Sequence, residues 1–320
     1  MKFALHFANS NFPDAAGAKR LALAAEAAGF ESLLVVEHVV WPTQYDSIYP
    51  YAPAGRLPGG PETKLPDPLI WMAFAAAVTT RLRFMSGILI LPLRNPVVLA
   101  KELATLDFMS GGRIDLGIGV GWLREEFEAI GVPFAQRGRR TDDYIQAMRA
   151  LWDKDDASFE SEHVTFHGMS CNPKPANGRV PIVIGGHSEA AAKRAGRLGD
   201  GFFPATGWPA DIAPLITFMQ QTAREHGRDP NSIEVTTGCP GVLPGSGVDP
   251  IAAVADAQAR GAHRVVLPVT AFMAGQPSSG TAKAGVQHAQ TLSGMAPGAH
   301  GDLETRLTQF GDTVIRKVNG

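Results

Sequence analysis

Eight short apolar runs alternate with longer helical patterns along this 320-residue chain, and this alternation constrains the fold more than any other feature. The runs are rich in Val, Ile, Leu and Phe, and they cover residues 2–8, 32–36, 83–91, 113–118, 181–184, 201–204, 233–237 and 264–268. Neighbouring parallel strands must be joined by a crossover, which is usually a helix. The pattern therefore predicts an α/β fold, a (β/α)8 TIM barrel.

A doubly wound open sheet is the alternative arrangement for alternating strands and helices. Its dinucleotide-binding form needs glycines in the turn after the first strand, because the backbone there approaches a pyrophosphate. In this chain that turn, residues 8–12, has the sequence Ala-Asn-Ser-Asn-Phe and contains no glycine. The barrel is therefore the favoured prediction.

Capping residues mark several of the predicted helices. Asp14 precedes an Ala- and Leu-rich segment that Gly29 ends, as an N-cap and a C-cap would. Asp67-Pro68 and Asn95-Pro96 each combine an N-cap residue with a proline at the first helical position. These signals predict helices that begin at about residues 14, 67 and 95.

Three segments lack a clear period and are expected to be loops inserted into one domain that spans residues 1–320. They cover about 39–66, 157–180 and 271–299. The second contains Pro173 and Pro175 and is expected to be irregular. The third is rich in Gly, Ala and Ser and is expected to be flexible.

The composition narrows the classes of function. Hydrophobic residues make up 45% and charged residues 19%, which supplies a large core. The formal net charge is −2, and we find no basic run or stripe typical of nucleic-acid binding. No apolar run approaches membrane-spanning length, so we expect neither a nucleic-acid nor a membrane partner. Cys171 and Cys239 are far apart and fit neither a disulfide framework nor a metal site, which favours a cytoplasmic protein without a metal.

Barrel active sites lie at the carboxyl ends of the strands, and this rule selects the candidate residues. His38, at the end of the second strand, is either a polar group directed at a ligand or a strand-end histidine with a satisfied hydrogen bond. Gly185-Gly186-His187-Ser188 precedes a helix, where backbone N–H groups and the helix N-terminus favour a phosphate. A Gly-Gly turn is also a common tight connection between a strand and a helix.

Several segments together resemble one family, the bacterial luciferase-like flavin and deazaflavin oxidoreductases, over about residues 2–237. The segments that carry the resemblance are Val36-Glu37-His38, Gly87-Ile88-Leu89, Pro92-Leu93-Arg94-Asn95-Pro96, Ser110-Gly111-Gly112-Arg113, Gly117-Ile118-Gly119-Val120-Gly121-Trp122, Glu125-Glu126-Phe127, Pro181-Ile182-Val183-Ile184-Gly185-Gly186 and Gly199-Asp200-Gly201-Phe202. Each motif alone is a weak indication of the family, whereas the order and spacing of the whole set are specific to it.

The resemblance implies a barrel with the cofactor ring at its carboxyl-terminal mouth, and it is greatest to the branch that uses coenzyme F420, a 5-deazaflavin. It implies a non-proline cis peptide at Gly87–Ile88 behind the ring, and catalysis by His38 with help from Glu37. The cofactor-binding residues that it implies are Phe7, Ser86, Gly87, Ile88, Val120, Gly121, Trp122, Glu125, Gly185, Gly186, Ser188, Thr206 and Gly207. Among these, Gly185, Gly186 and Ser188 would meet the phosphate. The usual oligomeric state of the family also suggests a homodimer.

The sequence departs from the pattern of related enzymes at two positions that bear on the substrate. Trp122 and Trp208 stand where sugar-phosphate dehydrogenase relatives carry a glutamate and a lysine. We therefore expect a small apolar or aromatic substrate and hydride transfer with F420. The alternatives are an FMN-dependent monooxygenase of the same fold, which uses reduced flavin and oxygen, and a protein that binds a flavin or deazaflavin without turnover.

Overall fold

Eight parallel strand positions close into a barrel in the computed structural model, which describes residues 1–204, 209–273 and 303–320. The strands in chain order are β1 (Lys2–His6), β2 (Ser32–Val35), β3 (Arg83–Ser86), β4 (Leu89–Ile90), β5 (Ile114–Gly119), β6 (Ala157–Glu160), β7 (Thr165–Met169), β8 (Ile182–Gly185), β9 (Gly201–Phe203), β10 (Glu234–Gly238) and β11 (Arg264–Pro268). β1 pairs with both β2 and β11, and β3 pairs with β5, so the sheet closes on itself. The predicted TIM barrel is confirmed.

Helices separate the barrel strands. They are α1 (Ala8–Asn11), α2 (Ala15–Ala28), α3 (Pro68–Ala76), α4 (Pro96–Ser110), α5 (Arg124–Ile130), α6 (Arg137–Asp153), α7 (Glu189–Leu198), α8 (Pro209–Glu225), α9 (Pro250–Ala259) and a C-terminal helix, Leu303–Phe310, which continues through the π-turn Gly311–Ile315 into Arg316–Asn319. Across the described ranges, no helix is both long enough and apolar enough to cross a bilayer.

The predicted helix starts are confirmed, because each rests on a local hydrogen bond. The Asp14 carboxylate accepts from Gly17 N, and Gly29 ends α2 with a left-handed backbone. The Asp67 carboxylate accepts from the first backbone N–H groups of α3, and the Asn95 side-chain oxygen does so for α4.

The third strand differs from its prediction as one continuous run over 83–91. It is broken into β3 and β4 at the cis peptide Gly87–Ile88, the bond that the family resemblance implies. Gly117 on β5 allows the close approach at this break, because a Cβ there would overlap the carbonyl oxygen of Ser86. The Ser86 hydroxyl donates to the Gly117 carbonyl oxygen at 2.7 Å and joins the two strands.

The expectation of an irregular 157–180 segment is wrong in part. β6 and β7 form an antiparallel hairpin outside the barrel, in which Phe159 pairs with Phe166. Ala157 and Phe166 are buried, and this apolar anchoring accounts for the hairpin. In the described part of 39–66 there is no regular helix or strand, as expected. Most of the predicted 271–299 loop lies outside the described residues.

An ionic cluster fills the amino-terminal end of the barrel. Arg264 on β11 has only 2% of its surface exposed. Its guanidinium donates two hydrogen bonds to the Glu31 carboxylate, both at 3.1 Å, and one to Asp115 at 3.2 Å. Arg83 donates to the other oxygen of Asp115 at 2.6 Å. The cluster closes the end of the barrel opposite to the predicted active site.

Candidate active site

A cavity of about 940 Å³ opens at the carboxyl ends of the barrel strands. Most of the predicted site residues line it, namely Phe7, Glu37, His38, Gly87, Ile88, Val120, Gly121, Trp122, Gly185, Gly186 and Ser188. Two do not: the Ser86 hydroxyl is engaged by β5, and Glu125 contacts the 39–66 segment. Thr206, Gly207 and Trp208 lie outside the described residues. The barrel thus brings together residues as far apart in the sequence as Phe7 and Ser188.

The Ile88 side chain forms the floor of this cavity. Two glycines on neighbouring strands make the notch that receives it. A Cβ on Gly119 would clash with Ile88 Cδ1, and a Cβ on Gly185 would lie 2.6 Å from Ile88 Cγ2. The floor is therefore smooth and apolar, and it suits the face of a planar ring.

His6 is a cavity residue that the sequence interpretation missed. Its Nε2 donates to the carbonyl oxygen of Gly87 at 2.7 Å, and its ring stacks on Phe7 with centroids 3.9 Å apart. Phe7 adopts a left-handed backbone with φ of 63°, which turns the chain at the end of β1. The predicted first strand ran to residue 8, whereas β1 ends at His6, so the position of His6 at the strand end came from the structure.

His38 is paired with Glu126 in the structure. Its Nδ1 donates to Glu126 Oε2 at 2.9 Å, and Glu126 Oε1 accepts from the backbone of Val39 at 2.6 Å. Glu126 is completely buried, whereas His38 lines the cavity. An imidazole that donates from Nδ1 to a carboxylate keeps a lone pair on Nε2 when it is neutral. Among the described residues, Nε2 has no hydrogen-bond partner.

Glu37 takes a different position from the one that the sequence suggested. Its carboxylate accepts from Ile90 N at 2.6 Å and from Arg94 Nε at 2.9 Å, and Arg94 also pairs with Asp67 at 2.6 Å. Burial raises the pKa of Glu37, and the Arg94 charge opposes that rise. The structure thus does not bring the Glu37 carboxylate to His38: it joins β2 to β4 and, through Arg94, to the start of α3.

One end of the cavity is basic. Gln136, Arg137, Gly138 and Arg139, at the start of α6, line it beside the first turn of α7. Arg137 donates to the carbonyl oxygen of Gly121 at 3.1 Å and lies over the Phe134 ring at 3.9 Å, but it forms no ion pair within the described residues. Burial, together with the charge of Arg124, lowers the pKa of Arg137, so an anion here would relieve an unfavourable environment.

This basic end was not predicted. Three arginines fall within four positions at the start of α6, at 137, 139 and 140, and this short cluster corrects the expectation that the chain has no basic run. The predicted phosphate loop lies next to it. Gly186 N–H already donates to the carbonyl oxygen of Phe203, and the Ser188 side chain caps α7 by accepting from Ala191 N. An anion at this loop would therefore bind to the first turn of α7.

Aromatic side chains form another side of the cavity. We call Trp41, Tyr49, Tyr51 and Trp122, which line it, and Tyr45, which packs against Trp122, the aromatic wall. This wall meets the predicted phosphate loop, because the Tyr51 ring lies edge-on to His187 at 4.8 Å. Tyr49 and Tyr45 meet the Trp122 ring edge-on at 5.1 Å and 5.8 Å, and the His38 ring lies 5.9 Å from it. Most of the wall comes from the 39–66 segment, which covers the mouth.

The described residues contain no group of three or more His, Cys, Asp or Glu side chains able to hold a metal ion. The cavity instead combines a smooth apolar floor, a basic end and an aromatic wall. The sequence model of the luciferase-like monooxygenase family matches residues 2–309.

The chain belongs to the luciferase-like monooxygenase family. An uncharacterised protein of Mycobacterium tuberculosis is 36% identical to it over 208 residues, which are 65% of this chain and 72% of the relative. An FMNH2-dependent dimethylsulfone monooxygenase of Pseudomonas fluorescens is 38% identical over 130 residues, 40% of this chain and 35% of that protein.

A solved structure of much lower sequence identity has the same fold. The coenzyme F420-dependent tetrahydromethanopterin reductase of Methanopyrus kandleri superposes with a TM-score of 0.70 at 15% identity, over 99% of both chains. One relative by sequence is thus named for FMN, and one neighbour by fold is named for F420. Membership makes this chain a luciferase-like oxidoreductase.

Proposed function

We propose that this protein uses coenzyme F420 to transfer hydride to or from a small apolar organic substrate. The observation that carries the proposal is the His38–Glu126 pair, which leaves His38 Nε2 without a partner among the described residues at the wall of the cavity. Hydride transfer between an alcohol and a ketone moves a proton at the oxygen as well. A histidine held in one tautomer is suited to that proton.

In oxidation of an alcohol, His38 Nε2 would accept the hydroxyl proton while the carbonyl bond forms. Glu126 would stabilise the resulting imidazolium through Nδ1, and the backbone N–H groups that hold Glu126 keep this carboxylate in place. A bound deazaflavin would supply the ring carbon that accepts or donates hydride. In the reverse direction, imidazolium Nε2 would protonate the carbonyl oxygen.

The residues present fit a flavin-type cofactor. The smooth floor at Ile88, made by Gly119 and Gly185, suits one face of a tricyclic ring. The basic end, with Arg137 and the first turn of α7, suits a phosphate. F420 and FMN both need an apolar surface for the ring and a basic site for the phosphate, so these features support either cofactor.

Replacement of Arg137 by alanine is expected to weaken cofactor binding by about 10- to 100-fold, because a charge-assisted contact to a phosphate is lost. Quenching of protein or cofactor fluorescence measures the affinity. Arg124→Ala is the matched control: this side chain lies over the same Phe134 ring at 4.4 Å and does not line the cavity. Equal affinity in Arg137→Ala and wild type would place the phosphate elsewhere.

The aromatic wall supports a neutral, apolar substrate. Of the carboxylates near the cavity, Glu37 is occupied by Arg94, and Glu126 by His38 and two backbone N–H groups. A cationic substrate would find no free counter-charge among the described lining residues. His38 Nε2 is a polar contact beside this wall, and it suits a substrate with a hydroxyl or carbonyl group.

The direct test is reduction of F420 by a panel of secondary alcohols that runs from 2-propanol to 1-phenylethanol, followed by the loss of F420 fluorescence. We expect turnover, with KM falling as the apolar surface of the alcohol grows. Titration of the protein with F420 and with FMN completes the test. Micromolar binding of FMN without binding of F420 would reject the proposal.

An FMN-dependent monooxygenase is the second candidate, and the 38% identity to the dimethylsulfone monooxygenase favours it. In that case the same floor and basic end would hold FMN. Consumption of oxygen that depends on reduced FMN and on an added organic sulfur compound would support this candidate over the first.

We also propose a homodimer built on α2, α3 and α4. These consecutive helices pack side by side, and they expose a set of large apolar side chains, namely Leu23, Ile70, Phe74, Val97, Val98, Phe108 and Met109. Exposed apolar surface on this scale is characteristic of an interface, which typically buries about 800 Å² on each partner.

Phe74→Lys is expected to shift the protein from dimer to monomer in sedimentation at micromolar concentration, because it places a charge in the proposed interface. Phe74 is 58% exposed in the single chain. Val248→Lys is the control, since Val248 is 53% exposed and lies outside these three helices. A monomeric wild-type protein would contradict the proposal.

A further inference from the structure

Glu125 is directed away from the cofactor cavity and toward the 39–66 segment. Its Oε1 accepts from the backbone of Asp46 at 2.7 Å and of Ser47 at 3.1 Å, and its Oε2 accepts from the Ser47 hydroxyl at 2.7 Å. The Ser47 oxygen accepts in turn from Arg124 N at 3.0 Å. Four hydrogen bonds thus join the start of α5 to residues 46 and 47. We call this group the Glu125 latch.

The Glu125 carboxylate is held in its ionised form. Burial alone raises its pKa, but the bonds from the Ser47 hydroxyl and from backbone N–H groups outweigh that effect and lower the pKa to about 2. Hydrogen bonds to a charged acceptor are stronger than those between neutral groups. The carboxylate is therefore ionised throughout the neutral pH range.

The latch lies between the residues that shape the substrate end. Tyr45 and Tyr49 flank the latched residues in sequence, and both pack against Trp122. Tyr45 extends the connection into the rest of the segment: its hydroxyl accepts from Leu57 N at 2.9 Å, and Arg56 lies over its ring at 4.7 Å. Glu125 consequently anchors residues 46 and 47 in the middle of a stretch that has no helix or strand, while Glu126 holds Val39 and Val40 at its start.

We propose that Glu125 is a positioning residue for the substrate: it holds residues 45–49 against Trp122 and so sets the shape of the aromatic wall next to His38. The inference rests on the proposed function for the presence of a substrate at this wall. Glu125 itself does not line the cavity, so it acts through Tyr45 and Tyr49. The side chain that the family resemblance assigned to the cofactor serves the substrate end.

The first test needs neither cofactor nor substrate. In Glu125→Gln, an amide NH2 replaces one acceptor and the charge is lost, so residues 45–64 should open more often. Trypsin should cut after Arg56 and Lys64, both exposed, about tenfold faster than in wild type, because cleavage follows the open population. Glu128→Gln, an exposed position on the same helix, is the matched control and should match wild type.

The second test separates positioning from a purely structural effect. With the alcohol of lowest KM in the F420 assay, Glu125→Gln should raise KM about tenfold and leave kcat within about twofold. Ser47→Ala should give a smaller rise, and the double variant should exceed Glu125→Gln little, because both residues belong to one latch.

Two results would overturn the inference. One is unchanged tryptic cleavage in Glu125→Gln. The other is a fall in cofactor affinity or in kcat with KM unchanged, which would place Glu125 at the cofactor instead. If no alcohol is oxidised with F420, the proposed function fails, and the cleavage experiment still decides whether the latch exists.

Discussion

His38→Ala is expected to lower kcat by about 10²- to 10⁴-fold in the F420-dependent reaction, the range that a general acid–base group contributes. The variant removes the Nε2 atom that would exchange a proton with the substrate oxygen. The fold should survive, because the His38 side chain lies at the cavity wall and Glu126 keeps its backbone donors from Val39 and Val40. Stopped-flow or steady-state loss of F420 fluorescence measures the change.

The control for this variant is His167→Ala, on the exposed strand β7 of the hairpin. Its kcat should equal that of wild type. In Glu126→Gln, kcat should fall about tenfold or more. The glutamine amide can form a hydrogen bond with either tautomer of His38, and it has no negative charge to stabilise the imidazolium. A steep loss of thermal stability in His38→Ala with normal turnover in the remaining folded protein would show that His38 is only a satisfied strand-end residue.

Arg264→Met is expected to lower the free energy of unfolding by about 3–5 kcal/mol, the largest effect on stability that the structure indicates. Methionine fills much of the same volume but leaves Glu31 without its bidentate partner and Asp115 with Arg83 alone. Urea unfolding followed by circular dichroism measures the loss. Arg260→Met, which breaks an exposed pair with Asp256, should cost less than about 1 kcal/mol.

The pH dependence of this stability loss provides a further check. Although burial raises the pKa of Glu31, Arg264 outweighs that effect and holds the pKa below its ordinary value. A carboxyl whose pKa is lowered on folding contributes stability above its unfolded pKa of about 4, and the contribution disappears as the pH falls through the folded pKa. The difference between wild type and Arg264→Met should therefore shrink below about pH 4. A constant difference down to pH 3 would assign the effect to packing.

The starts of the capped helices were predictable from the sequence to within a few residues. The caps at Asp14, Asp67 and Asn95 act over two or three positions, so the sequence contains both partners of each hydrogen bond. The break at Gly87–Ile88 was recoverable from the family resemblance, not from periodicity, since residues 83–91 read as one continuous apolar run. The β6–β7 hairpin was missed because its strands are short and largely exposed.

The roles of Glu125, Glu126 and Arg137 were not predictable from the sequence. Neighbouring residues on a helix point about 100° apart, so α5 directs Glu126 to His38 and Glu125 to the 39–66 segment. Nothing in the pair Glu125-Glu126 distinguishes the two side chains until the helix is docked. Arg137 becomes a cavity residue in the same way, because α6 starts beside α7.

The sequence by itself determined the barrel and the end of it that carries the cavity. Both follow from the alternation of strands and helices and from the rule that parallel strands share one carboxyl edge. The family resemblance, and not this alternation, supplied the predicted residues that line the cavity. The tertiary structure decided the pairings: Glu126 with His38, Arg94 with Glu37, and Glu125 with Ser47. The physical reason is that a hydrogen bond between side chains 57 to 88 positions apart depends on how two elements pack, and local sequence carries no record of that packing.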